Sequence, residues 1–135
     1  MLKVVLDTNV LVSALWTPAG NASTIVNLIF SDNLIPCFDQ NILDEYKAVL
    51  SRPRLTFSQD KVNKLINEIT SRGLSATVMP SKIQLPDETD RKFYDVAKFF
   101  KAYLITGNTK HFPNASFITN PAGFLKIYKT YLKKV

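Results

Sequence analysis

Val4, Val5 and Leu6 run without a polar interruption into Asp7, and no other junction in the 135 residues constrains the fold as much. An apolar run broken only by Lys3 between Leu2 and Leu6 suits a strand covered by helices on both faces, the usual setting of a central parallel strand. An acid ending such a strand carries a charge that burial penalises, so its presence needs a reason. A turn formed with Thr8 and Asn9 is one reason, and chemistry is the other. In open parallel sheets ligands bind beyond the carboxyl ends of the strands, so the residues just after each strand are the first candidates for function.

The rest of the chain alternates between strand and helix patterns. Asn21 to Phe30 spaces Ile25, Leu28 and Ile29 at helical intervals, and Leu34 to Phe38 reads as a second strand. Asp39 stands at the N-cap of a helix carrying Ile42, Leu43, Tyr46, Val49 and Leu50, which Pro53 ends. Ser58 caps a further helix with Val62, Leu65, Ile66 and Ile69 inward, and Gly73 is placed as its C-terminal stop. Ala76 to Met79 predicts a short strand. Pro86 and Asp87 introduce a helix with Phe93, Val96, Ala97 and Phe100 on one side, and the strand Tyr103 to Thr106 follows. After a polar loop come a last strand, Ser116 to Thr119, and a terminal helix opened by Asn120 and Pro121. Such alternation implies an α/β fold, a parallel sheet between helix layers with right-handed crossovers, in one domain spanning residues 1–135.

Asp7 and Asn108 follow strands, and Glu45 and Asp90 lie on helices that can face the same cleft. At about 100° per residue, Glu45 falls beside the stripe of Ile42, Tyr46, Val49 and Leu50, while Asp44 points to solvent. Asp90 falls at the edge of the Phe93, Ala97 and Phe100 face, and Asp95 nearly opposite. Carboxylates gathered in one cleft repel each other and persist in a network or around a cation. Oxygen ligands of this kind select Mg²⁺ or Mn²⁺, and such an ion polarises a phosphoryl oxygen and lowers the pKa of water. Asp87 suits helix capping better than chemistry, and capping is a second reading of Asp90. His111 has no Cys or second His at ligand spacing and is taken as a loop residue without a catalytic role.

Composition narrows the partners. Seventeen Lys and Arg against eleven Asp and Glu give a formal charge of +6, which favours polyanions. Lys47, Arg52, Arg54 and Lys110 can follow a phosphate backbone toward the cleft, whereas Lys126, Lys129, Lys133 and Lys134 read as charges for solubility. The single cysteine, Cys37, is expected to be buried in its strand. No apolar run approaches the roughly eighteen residues of a membrane span, so no membrane association is expected. The opening MLKVVLDTNVL lacks the small-residue cleavage site of a secretory signal, so the expected location is the cytoplasm.

The segments VVLDTNVLVSAL, ILDEYKAVL, DETDRKFYDVA and YLITGNTKHF, in that order and with the closing FITNPAGFL, resemble the PIN-domain nucleases over almost the whole chain. The likeness looks closest to the bacterial branch that includes toxin components of toxin–antitoxin pairs. It implies a three-layer α/β/α sandwich, Rossmann-like, with a central parallel sheet of four or five strands. It also implies an endoribonuclease that hydrolyses single-stranded RNA with Mg²⁺ or Mn²⁺, an antitoxin protein as partner, and a homodimer. Asp7, Glu45 and Asp90 match the family's acidic positions and Asn108 a fourth, so these four are the implied catalytic residues and metal ligands. Many members carry Asp at the fourth position. An amide oxygen coordinates without bringing charge, so a second ion would be held more weakly. Thr8, Asn9, Ser13 and Thr106 match small polar positions that line the same site.

Other acidic-pocket folds fit less well. A haloacid-dehalogenase phosphatase wants a second Asp where Asn9 stands, and a response-regulator receiver wants paired acids at the first strand and a Lys after a late one. The alternative to an active nuclease is a catalytically weak or inactive PIN-like module that binds RNA or protein, which Asn108 would suit.

Overall fold

Strand β1 (Lys3–Leu6) is the middle of a five-stranded sheet whose other members are β2 (Ile35–Phe38), β3 (Leu74–Ser75), β4 (Tyr103–Ile105) and β5 (Ile118–Thr119), in a computed structural model describing residues 1–135. The order is β3-β2-β1-β4-β5, and every pair is parallel. Val4 and Val5 are fully buried, as an apolar run at the centre of such a sheet requires. The chain steps outward from β1 to β2 and β3, then returns to the other side of β1 as β4. That reversal opens a crevice at the carboxyl ends of β1 and β4, the position where ligands bind in sheets of this kind.

Six helices complete the fold: α1 (Thr8–Trp16), α2 (Asn21–Phe30), α3 (Gln40–Leu50), α4 (Gln59–Arg72), α5 (Arg91–Phe100) and α6 (Pro121–Lys134). Helix α5, which packs on β1, β2 and β4, covers one face of the sheet, and the mutually packed α1, α2, α4 and α6 cover the other. This is the expected α/β sandwich. One contiguous core of 31 buried residues joins β1, β2 and β4 to every helix. The expected caps form: Asp39 accepts from the Ile42 N–H (2.8 Å), Ser58 from Lys61 (3.2 Å) and Asn120 from Gly123 (2.7 Å). Cys37 is buried as expected, and burial pushes its thiol up to about 12. No helix is long and apolar enough to cross a membrane.

Two expectations are corrected. No turn separates Asp7 from the first helix, because α1 starts at Thr8 with Asp7 in the N-cap place, its side chain making no capping bond. The third strand is Leu74–Ser75 rather than Ala76 to Met79. Phe38 ends β2 and pairs with Ser75, so residues 76–79 have no ladder left to join. Gly73 ends α4 as expected, but for a different reason. Its φ of −104° is open to any residue, whereas a Cβ there would sit 2.4 Å from the Pro36 carbonyl oxygen and 2.7 Å from that of Ile69. Gly73→Ala is therefore expected to lower unfolding stability by about 2–3 kcal/mol in urea titration. A loss under about 0.5 kcal/mol would show that α4 and β2 can move apart.

Candidate active site

Asp7 is held in place by its backbone. Its N–H donates to the Ile105 carbonyl (2.9 Å), carrying the β1–β4 ladder one residue beyond the strand. On the other side the Tyr46 hydroxyl, from α3, donates to the Leu6 carbonyl (2.5 Å). The side chain is only 7% exposed. Its Oδ2 accepts from Thr106 Oγ1 (2.8 Å) and more weakly from Asn9 Nδ2 (3.4 Å). Thr106 is fully buried, and its hydroxyl also accepts from the Asn108 N–H (3.0 Å). Asn9 Oδ1 accepts from the Gly107 N–H (3.1 Å). Side chains at the two strand ends thus tie the loop after β4 to Asp7. Burial pushes the Asp7 carboxyl above its ordinary value and the charge of Glu45 adds to the rise, while the Thr106 bond opposes both.

Glu45 faces the cleft from α3, as its helical position predicts, and accepts from Thr8 Oγ1. Its other oxygen lies 2.8 Å from Lys92 Nζ on α5. Asp44 is exposed and bonds Gln40 instead. Asp90 closes a 3-10 turn, Glu88–Asp90, that leads into α5. Its carboxylate is 14% exposed, and Oδ2 is buried without a hydrogen-bond partner. His111 Nδ1 stands 3.5 Å from that oxygen without bonding it. Burial first, then the charges of Asp7, Asp87 and Glu45, raise the Asp90 carboxyl to about 6, with His111 opposing. Capping falls to Asp87, which accepts from the Thr89 N–H and hydroxyl, and Asp90 makes no capping bond.

Asp7, Thr8, Asn9, Glu45 and Thr106 therefore meet in one crevice, and Asp90 joins through its field. Asn108 enters by its backbone alone; its side chain is exposed and makes no hydrogen bond, and Ser13, exposed on α1, makes none either. No three acid, cysteine or histidine side chains close on one point as a finished cage. Even so, the donor set is hard oxygen, two of its acids are pushed up by burial and mutual repulsion, and one buried oxygen is orphaned. A divalent cation relieves all three conditions.

One residue on α5 behaves otherwise than its sequence position suggests. Asp95 does fall on the side away from Phe93 and Ala97, but it is buried, because the segment around Ser81 lies against it. It accepts from the Ser81 N–H (2.9 Å), and Arg91, one turn earlier, donates to the Ser81 carbonyl (2.8 Å) and the Ile83 carbonyl (2.6 Å). Lys92 had no local signal, since its partner Glu45 lies on another helix. His111 had only its nearness in sequence to Asn108.

The PIN-domain family model matches residues 3–110. An uncharacterized protein of Methanocaldococcus jannaschii is 32% identical over 110 residues, covering 79% of this chain and 71% of that protein. Among solved structures, the crystal structure of VapBC2 from Rickettsia felis bound to a DNA fragment from their promoter aligns with a TM-score of 0.56 over 81% of this chain and 90% of that one. Its 16% identity speaks to fold alone. By its family model and its place of acids at the carboxyl end of β1, the chain belongs to the PIN-domain family, whose members are in general nucleases that use divalent metal ions.

Proposed function

We propose that the chain is a metal-dependent endoribonuclease, a single domain over residues 1–135 that hydrolyses phosphodiester bonds of single-stranded RNA in the cytoplasm. The observation that carries this reading is the buried Oδ2 of Asp90, which makes no hydrogen bond, in a crevice already charged by Asp7 and Glu45. Asp7, Asp90 and Glu45 would hold Mg²⁺ or Mn²⁺, and the Asn108 amide, exposed here, would have to turn inward to serve as a neutral fourth ligand. When bound, such an ion would supply Lewis acidity to the phosphoryl group and a readier proton loss from water. Thr106 and Asn9 hold the Asp7 carboxylate in one orientation, and Thr8 does the same for Glu45. Lys92 offsets the charge of Glu45 and sets an ammonium beside the crevice, where a backbone phosphate can meet it. The exposed Lys47, Arg52, Arg54 and Lys110 extend that positive track.

The sequence resemblance and the fold shared with VapBC2 support a toxin of a toxin–antitoxin pair with an antitoxin protein as partner; a homodimer is proposed from the sequence resemblance alone. The test is incubation of purified protein with single-stranded RNA and Mn²⁺ or Mg²⁺, with and without chelator. Internal cleavage that stops with chelator and returns with metal is the expected result. Cleavage that ignores the chelator overturns the mechanism. Binding without cleavage favours the inactive module, which the uncharged, exposed Asn108 supports.

Thr106→Val removes the bond that favours ionised Asp7, so the Asp7 carboxyl rises further. The acidic limb of the pH–rate profile should move to higher pH, with a fall in rate of about 10- to 100-fold. An unmoved limb would show that Thr106 only packs.

A further inference from the structure

All eleven Asp and Glu residues lie at or before Asp95, so the lysines beyond it meet no acid in their own stretch of chain. Four of them, Lys98, Lys101, Lys126 and Lys134, lie at the end of the sheet opposite Asp7. Lys98 and Lys101, at the close of α5, line a cavity of about 490 Å³ with Tyr103, Ser116 and Phe117. Lys126 and Lys134, on α6, line a second of about 430 Å³ with Leu2, Tyr103 and Tyr131. Tyr103 lines both, so the two cavities meet at the amino end of β4, one from the α5 side and one from the α6 side, as the two halves of one groove. None of these four lysines is in an ion pair.

Tyr103, Phe117 and Tyr131 line it, and buried Phe124 and Tyr128 lie beneath them. Tyr103 packs edge-on against buried Phe124 (centroids 5.7 Å apart), Phe124 stacks on Tyr128 (6.4 Å), and Tyr128 stacks on half-buried Tyr131 (6.2 Å). Lys98 Nζ lies 5.8 Å from the centre of the Phe117 ring. A solvated lysine face would spread its charges along one helix. Here they converge from two helices on a groove whose rings are held rigid from beneath, and ammonium groups spaced among ring faces suit the phosphates and bases of an unpaired strand.

We propose that this groove is a second binding surface for single-stranded RNA, a docking exosite separate from the acidic crevice. The choice of RNA rests on the nuclease reading above; the polyanionic strand does not. The four residues of β1 span about 13 Å at roughly 3.3 Å each, so a strand in the groove must pass around the sheet edge to reach Asp7. Long RNAs therefore gain from the groove, and very short ones do not.

The test uses the full chain with chelator present, so binding is read apart from cleavage. A labelled single-stranded RNA of about twenty nucleotides is titrated by fluorescence anisotropy at several salt concentrations. For Lys98→Glu/Lys126→Glu the expected result is binding at least tenfold weaker. The magnitude of the salt slope should drop by about 1.4, at about 0.7 per lost phosphate contact. Tyr131→Ala should weaken binding about fivefold or more with the slope unchanged. Lys61→Glu/Lys64→Glu, of equal charge change on α4, should have little effect, and in a separate assay with Mn²⁺ and no chelator a four-nucleotide RNA should be cleaved at the wild-type rate by every variant. Equal weakening by the Lys61 and Lys64 pair, an unchanged slope in the Lys98 and Lys126 pair, or equally tight binding of anionic lipid vesicles overturns the proposal. If the chain cuts no RNA, the nuclease reading fails while the binding result stands.

Discussion

Asp7→Asn is expected to reduce RNA cleavage on the order of 10³-fold while the protein stays folded. The amide keeps the shape of the carboxylate and leaves an oxygen to accept from Thr106 Oγ1, so the hydrogen bonds that tie β4 to β1 can persist. What disappears is a charge that burial already resists. Loss of rate without loss of structure separates a chemical role for Asp7 from a structural one. Single-turnover cleavage with saturating Mn²⁺, paired with circular dichroism, reads both. Asp44→Asn is the control, because Asp44 is exposed and bonds only Gln40, and its rate should stay within about twofold. An Asp7 variant within tenfold of wild type would remove this carboxylate from the chemistry.

Asp90→Asn is expected to make the metal-free protein more stable at neutral pH. The carboxyl titrates at about 6 in the folded chain against an ordinary 3.8. Between those values the folded state keeps a proton that the unfolded chain has released, so stability is greatest below 3.8 and falls as pH rises through 6. An amide carries no such charge. Allowing for partial contact with solvent, the gain is about 1–2 kcal/mol, or about 3–6 °C in Tm, at pH 7.5 with chelator present. It should vanish at pH 4. Mg²⁺ or Mn²⁺ should then raise the Tm of the wild type and barely move that of the variant. A variant less stable than wild type at pH 7.5 would mean that the ionised carboxylate is already satisfied by the protein, with His111 the nearest candidate.

Features set by neighbours in sequence were the legible ones. Asp39, Ser58 and Asn120 cap their helices because a cap needs only the next turn, and Glu45 faces inward because α3 has a single apolar stripe. Asp7 could be placed because Val4, Val5 and Leu6 allow only a buried strand before it. The misplacements came from tertiary contacts. Strand β3 stops early because β2 is short, which no pattern in Ala76 to Met79 reveals. Asp95 is buried because a distant loop covers it, and helical periodicity treats every polar face as wet. Lys92 and His111 reach the acids across the fold, at separations that short-range patterns do not register.

The bond from Thr106 to Asp7 joins residues 99 positions apart. Every group that secures the Asp7 side chain from the far strand, Thr106 and the loop after it, is therefore translated long after Asp7 itself. A growing chain presents Asp7 as one more solvated carboxylate until β4 has emerged and paired with β1. Contacts of such long reach form late and together with the sheet. Assembly of the crevice is thus timed by the completion of the fold, and a chain cut short before β4 retains the acids of its first two-thirds without the pocket that gives them their chemistry.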